Sequence, residues 1–143
     1  MLYYNAKDIA KYVVNKCIDD EHPISNLQLQ KILYYIQRAY LKQDRCAFTE
    51  NIEAWQFGPV VPCVYYIYCG FGSMRICVKL TPEEELQPED KAIIDPIVES
   101  KRDLMPWDLV NDTHREGGAW NLTFKNGEGL HAIIPMDLIK SNG

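Results

Sequence analysis

The chain has 143 residues, 47% of them hydrophobic and 24% charged, with eight glycines and eight prolines. That size and balance suit a single globular core and exclude disordered, collagenous and fibrous classes. Fifteen basic residues against twenty acidic ones leave a formal charge of −5, which argues against an unaided grip on a phosphate backbone.

The first residues contain no basic stretch followed by an apolar run, because Lys7, Asp8 and Lys11 interrupt it, so a signal peptide is not expected. The longest apolar run, Val60 to Cys69, holds a proline and is about half the length a bilayer span needs. A cytoplasmic protein with no membrane partner is expected. Asn5 is placed to cap a first helix reaching Asp20, with Ile9, Tyr12, Val13 and Cys17 on one face. Ser25 and Gln28 have capping-box spacing, and Leu29, Ile32, Leu33, Ile36 and Tyr40 then form an apolar stripe, which predicts a central second helix.

Glu53, Trp55 and Phe57 alternate with Ile52, Ala54 and Gln56, predicting a short extended segment that Gly58 and Pro59 stop. Pro62 suits the first turn of a third helix starting near Val61, with Val64, Ile67 and Tyr68 inward and Gly70 and Gly72 after its end. Met74, Ile76, Val78 and Leu80 alternate as a strand would. Pro88-Glu89-Asp90 opens a fourth helix to about Ser100, which Pro96 should kink or split, and Pro106 opens a fifth to about Arg115. Trp120, Leu122 and Phe124, then Asn126-Gly127, then Leu130, Ala132 and Ile134 predict a β-hairpin, and Pro135 to Lys140 a terminal helix. The expected architecture is α+β, predominantly helical, a single compact domain of five or six helices with a small antiparallel sheet or hairpin.

Chemistry-bearing patterns are sparse. GxxxxGK[ST], GxGxxG, HExxH and GxSxG are all missing, so no cofactor is expected. Cys17, Cys46, Cys63, Cys69 and Cys77 are odd in number without a CxxC pair, which fits reduced, mostly buried thiols. His22 sits among Cys17, Asp19, Asp20 and Glu21, but the spacing matches no established metal site and no metal is expected. A lowered Cys63 thiol at a helix start, paired with His114, would sketch a nucleophile; nothing in the sequence brings them together, and no catalytic residue is assigned.

Charge and aromatics are the stronger features. The first 50 residues carry seven basic and six acidic groups, whereas between Glu83 and Asp112 ten carboxylates face only Lys91, Lys101 and Arg102, a net −7. Read functionally, Glu83, Glu84, Glu85, Glu89 and Asp90 offer an acidic face to a basic protein partner; read structurally, they form a solvated helical surface. Tyrosines pair at Tyr34-Tyr35 and Tyr65-Tyr66, and adjacent helical residues point about 100° apart, so one of each pair, Tyr35 and Tyr66, is expected at the surface as an interface anchor. The aromatics are not interleaved with a basic groove, so no nucleic-acid partner is expected.

Three segments in order, LQKILYYIQ (29–37), EAWQFGPVVPCVYYIY (53–68) and THREGGAW (113–120), resemble the Panacea domain family, the SocA-like antitoxin domain often found in phage, prophage and toxin-antitoxin loci. The matching residues are Gln30, Lys31 and Tyr34; Glu53, Trp55, Phe57, Gly58, Pro59, Val61, Pro62 and Tyr65; and Thr113, His114, Glu116 and Trp120. Cys63 departs from the acidic residue usual after GPVVP, and Gly117-Gly118-Ala119 departs from the proline usual before the tryptophan. The resemblance implies a non-enzymatic domain that neutralises a cognate toxin by binding it. The alternative it leaves open is a phage-encoded adaptor or inhibitor that acts on a host protease, chaperone or other host factor; a thiol- or metal-dependent enzyme is a third reading. Lys31 and Glu53, from the two strongest segments, are expected to form a bridging ion pair.

Overall fold

Ser25 and Gln28 close the predicted capping box: the Gln28 N–H donates to the Ser25 hydroxyl at 3.3 Å, and the Ser25 N–H donates to the Gln28 side chain at 3.0 Å. Two donors that a helix start leaves free are thereby satisfied. The computed structural model describes residues 3–143, and the helix this box opens runs through their middle. In chain order the elements are α1 (Ala6–Asp19), α2 (Asn26–Leu41), β1 (Glu53–Trp55), β2 (Gly58–Val60), α3 (Pro62–Tyr68), α4 (Pro88–Lys101), α5 (Pro106–Thr113), α6 (Ala119–Phe124) and α7 (Met136–Asn142). The class is α+β and mainly helical, as expected.

The α2 stripe of Leu29, Ile32, Leu33, Ile36 and Tyr40 is buried, but so are Gln30, Lys31, Tyr34, Tyr35 and Gln37. Helices α1, α3, α4, α5 and α7 and strand β2 all pack on α2. A helix enclosed on every side must bury polar residues, and each then needs a partner. Gln37 shows how: its amide donates to the Phe48 carbonyl at 2.7 Å and accepts from the Ala47 N–H at 2.8 Å, tying the connection before β1 to α2.

Four local expectations are corrected. Gly58 and Pro59 do not stop the extended segment; the chain reverses at Gln56-Phe57 and Gly58–Val60 returns as β2, with Trp55 opposite Gly58. Gly58 at φ +119° makes that reversal possible. The alternation from Met74 to Leu80 forms no regular strand, only an isolated bridge between Arg75 and Ser25; Ile76 is buried and donates to the Ile24 carbonyl at 2.8 Å, whereas Met74 and Val78 are exposed. Of the kink or split expected at Pro96 the split does not occur: helix α4 runs on through it, and Pro96 and Ala92, whose carbonyl loses its partner there, both face solvent.

Residues 120–124 form a helix and not the first arm of a hairpin. Trp120 and Phe124, one turn apart, stack at 4.5 Å while Leu122 between them is exposed, a helical pattern that only mimics alternation. Lys125, Asn126 and Gly127, at φ 52°, 56° and 104°, end it. The expected second arm is not a strand either: Leu130 and His131 lie in a turn, and the residues after them form only an isolated bridge to β1, where the Ala54 N–H donates to the Ala132 carbonyl at 2.8 Å and the Ile134 N–H to the Ile52 carbonyl at 2.8 Å. No helix among the described residues is long and apolar enough to cross a membrane.

Candidate functional site

The three motif segments converge on Gly58. A Cβ built on this glycine would lie 2.7 Å from Lys31 Cε, 2.9 Å from Thr113 Oγ1 and 3.0 Å from Lys31 Nζ, so α2, the β-hairpin and α5 meet at a point where only glycine fits. Lys31 has no exposed surface. Its ammonium donates to the Pro59 carbonyl at 3.1 Å, and burial pushes its pKa down from 10.5 to about 7. The expected ion pair with Glu53 does not form: Glu53 instead accepts from the Trp55 indole N–H at 2.9 Å, while Lys31 lies beneath the Gly58–Pro59 backbone. Among the described residues no carboxylate is within ion-pair distance of Lys31.

Gln30 fixes the start of α3. It accepts from the Val61 N–H at 2.9 Å and donates to Asn26 at 2.9 Å, and Asn26 donates to the Tyr65 carbonyl at 3.2 Å. Pro62 occupies the first turn of α3 as predicted. The third segment is tied in by Trp120, whose indole N–H donates to the Trp55 carbonyl at 2.8 Å and whose ring stacks flat on His114 at 3.6 Å. Burial holds the His114 imidazole below its ordinary range, the nearby Lys31 charge adds to this, and a backbone hydrogen bond with Phe57 opposes it. Tyr34 is buried on α2, and Glu116 is exposed beyond α5.

This framework lines a cleft of about 510 Å³ between α2, the β-hairpin and α3, walled by Trp55, Phe57, Val60, Tyr65 and Leu130. Trp55 lies 4.9 Å from Tyr65, 6.4 Å from Tyr66 and 5.0 Å from His131 between ring centroids. Phe57 meets Trp107 edge-on at 5.9 Å. Asn26, Leu130, His131 and Trp107 were not legible as site residues. His131 adopts φ +68° and reaches Trp55 only because residues 131–134 pair with β1, a contact no local pattern announces.

The two tyrosine pairs differ. Tyr66 is exposed as predicted, but Tyr35 is buried with its hydroxyl bonded to Asp112, since α2 has no free face. Burial, then that carboxylate, pushes the Tyr35 hydroxyl well up. Much of the acidic stretch is likewise engaged internally. Asp90 accepts from Tyr4 at 2.5 Å and Tyr40 at 2.6 Å, and Asp95 from Tyr12 at 2.6 Å. The backbone N–H groups of Glu83 and Glu84 donate to buried Asp8 at 2.9 and 3.3 Å. Glu83, Glu85 and Glu89 remain exposed.

Nucleophile chemistry is not supported by Cys63: burial pushes its thiol up, opposite to the lowering expected of a helix start. Of the five thiols only Cys17 is fully buried, so the expectation of mostly buried thiols fails. His22 bonds Asp103 at 2.9 Å, 81 residues away in sequence.

The sequence profile of the family described as Antitoxin SocA-like, Panacea domain, matches residues 29–121. Antitoxin SocA of Caulobacter vibrioides (strain NA1000 / CB15N) is 30% identical over 139 residues, covering 89% of this chain and 73% of that protein. No solved structure matches the chain.

Proposed function

The chain belongs to the family of SocA-like antitoxins defined by the Panacea domain, and from that membership we propose that it neutralises a cognate toxin by binding it directly in the cytoplasm. The observation that carries this reading is the coincidence of the family match with the site. The matched residues include Gln30, Lys31, Trp55, Phe57, Gly58, Thr113 and Trp120, which build the cleft and lock its walls. A binding role fits the chemistry better than catalysis. The Cys63 thiol is pushed up, His114 is stacked on Trp120, and the Gln30 and Asn26 amides are used in positioning α3.

Co-expression with the product of an adjacent toxic gene tests it. Restored growth with a stable complex of the two proteins is the expected result; no rescue by any neighbouring pair, or rescue without a complex, contradicts direct neutralisation. Loss of the toxin from cells in a manner that needs a host protease would replace occlusion by delivery.

A further inference from the structure

The cleft beside Trp55 has shape but no charge set to select an occupant: Lys31 is sealed beneath Gly58 and Pro59, and Glu53 is bonded to Trp55. A surface with both shape and accessible charge lies further along α2. There α2 and α4 border a shallow groove of about 340 Å³, with Tyr35, Ala39, Pro96 and Ile97 as its apolar lining. Arg38, Lys42 and Lys101 complete the lining with Ser100, and no carboxylate takes part. Lys42 is exposed and Arg38 and Lys101 are half-buried, so all three meet solvent as Lys31 does not.

The fold turns the nearby acids away from this groove. Asp95 of α4 accepts from Tyr12 of α1 at 2.6 Å, and Glu99 pairs with Lys16 of α1 at 3.0 Å. Asp112 stands beyond Arg38, in a separate small pocket, and takes the Tyr35 hydroxyl. Among the described residues none of the three cations has a carboxylate within ion-pair distance. The Lys101 ammonium is held 4.1 Å from the centroid of the Tyr35 ring, and Lys42 donates to the Lys140 carbonyl at 3.3 Å. Arg38 Nε has no hydrogen-bond partner, and a guanidinium fork is the group best shaped to take a carboxylate with two hydrogen bonds.

In a chain of net charge −5 the groove is a local positive surface with an apolar floor, complementary to an acidic segment that carries an apolar side chain. A nucleic-acid strand would use the cations alone, and the net charge of the chain would repel it.

Resting on the antitoxin reading, we propose that the toxin docks an acidic segment in this groove between α2 and α4. Its apolar side chain sits on Tyr35, Ala39, Pro96 and Ile97, and its carboxylates lie among Arg38, Lys42 and Lys101.

Ser100 allows the test, because an exposed position on the groove wall accepts either charge without a core defect. The full chain carrying Ser100→Glu, Ser100→Lys or Arg38→Gln is titrated against the co-encoded toxin, with thermal midpoints measured to establish folding. The expected result is a loss of about tenfold or more for Ser100→Glu, equal or tighter binding for Ser100→Lys, and a loss of about fivefold or more for Arg38→Gln. Equal losses for the two charges, or a greater loss for Ser100→Lys, overturn the acidic segment. Unchanged affinity in all three folded variants overturns the groove and leaves the antitoxin reading standing. If an oligonucleotide binds wild type but neither Ser100→Glu nor Arg38→Gln, while toxin affinity is untouched, the groove takes a phosphate backbone and the proposal falls. A wild-type chain that binds no co-encoded toxin overturns the antitoxin reading itself, and this inference with it.

Discussion

The cleft beside Trp55 and the acidic stretch from Glu83 to Asp112 use their residues in opposite ways. In the acidic stretch, carboxylates that look free in sequence hold the fold. Asp90 joins α4 to Tyr4 and to Tyr40 of α2, Asp95 joins it to Tyr12 of α1, and Asp112 takes the Tyr35 hydroxyl. In the cleft, buried polar residues hold the frame while large aromatics stay at the surface. Charge density along a sequence therefore does not locate a binding face; what matters is which charges have already found partners.

The sharpest way to break this comparison is at Gly58. Gly58→Ala places a methyl group within 3 Å of Lys31 and Thr113 at φ +119°. Backbone strain and overpacking together should cost about 4 kcal/mol, measured as a lowered denaturant midpoint. A variant within about 1 kcal/mol of wild type would show that the three segments do not meet as tightly as described.

Lys31 comes next. The unfolded chain holds its proton up to about pH 10.5 while the folded chain releases it near 7, so between these values the unfolded state binds more protons and stability rises with pH. Compared with Lys31→Met, which cancels the cysteine and tyrosine contributions, wild type should gain about 3 kcal/mol from pH 7 to 9.5. A flat difference across that range would mean Lys31 stays charged and finds an acceptor beyond Pro59.

Two smaller tests address the acidic side. Asp90→Ala removes the acceptor of two tyrosine hydroxyls and should cost about 2 kcal/mol in chemical denaturation. Replacing the exposed Glu83, Glu85 and Glu89 together by glutamine should move stability by less than about 0.5 kcal/mol. Toxin affinity in the same variant should stay within about twofold, because these carboxylates lie outside the proposed contact. A large loss of affinity there would return the binding face to the acidic stretch.

How much was legible in the sequence divides along similar lines. α1 and α2 were readable, cap included, because Asn5, Ser25 and Gln28 act within one turn. The first turns of α3, α4 and α5 were readable because a proline sits in each. The 120–124 segment reads either way in sequence, since Trp120, Leu122 and Phe124 alternate while Trp120 and Phe124 also stand i,i+4, and only the stacking of Trp120 on His114 and of Phe124 on Trp120 decides. The motif residues were identified as a set, but their convergence on Gly58 was not, because the contact of Lys31 with Pro59 joins two elements 28 residues apart. Tyr35 was placed at the surface on helix geometry alone, which cannot reveal that neighbours cover both sides of α2.

Hydrogen exchange of the full chain, with and without its toxin, tests the central claim most directly. Binding in the groove between α2 and α4 predicts slowed exchange at residues 38–45 and 97–104, and unchanged exchange at residues 82–90. Slowing confined to the Trp55 hairpin or to residues 82–90, with the end of α2 untouched, would contradict it.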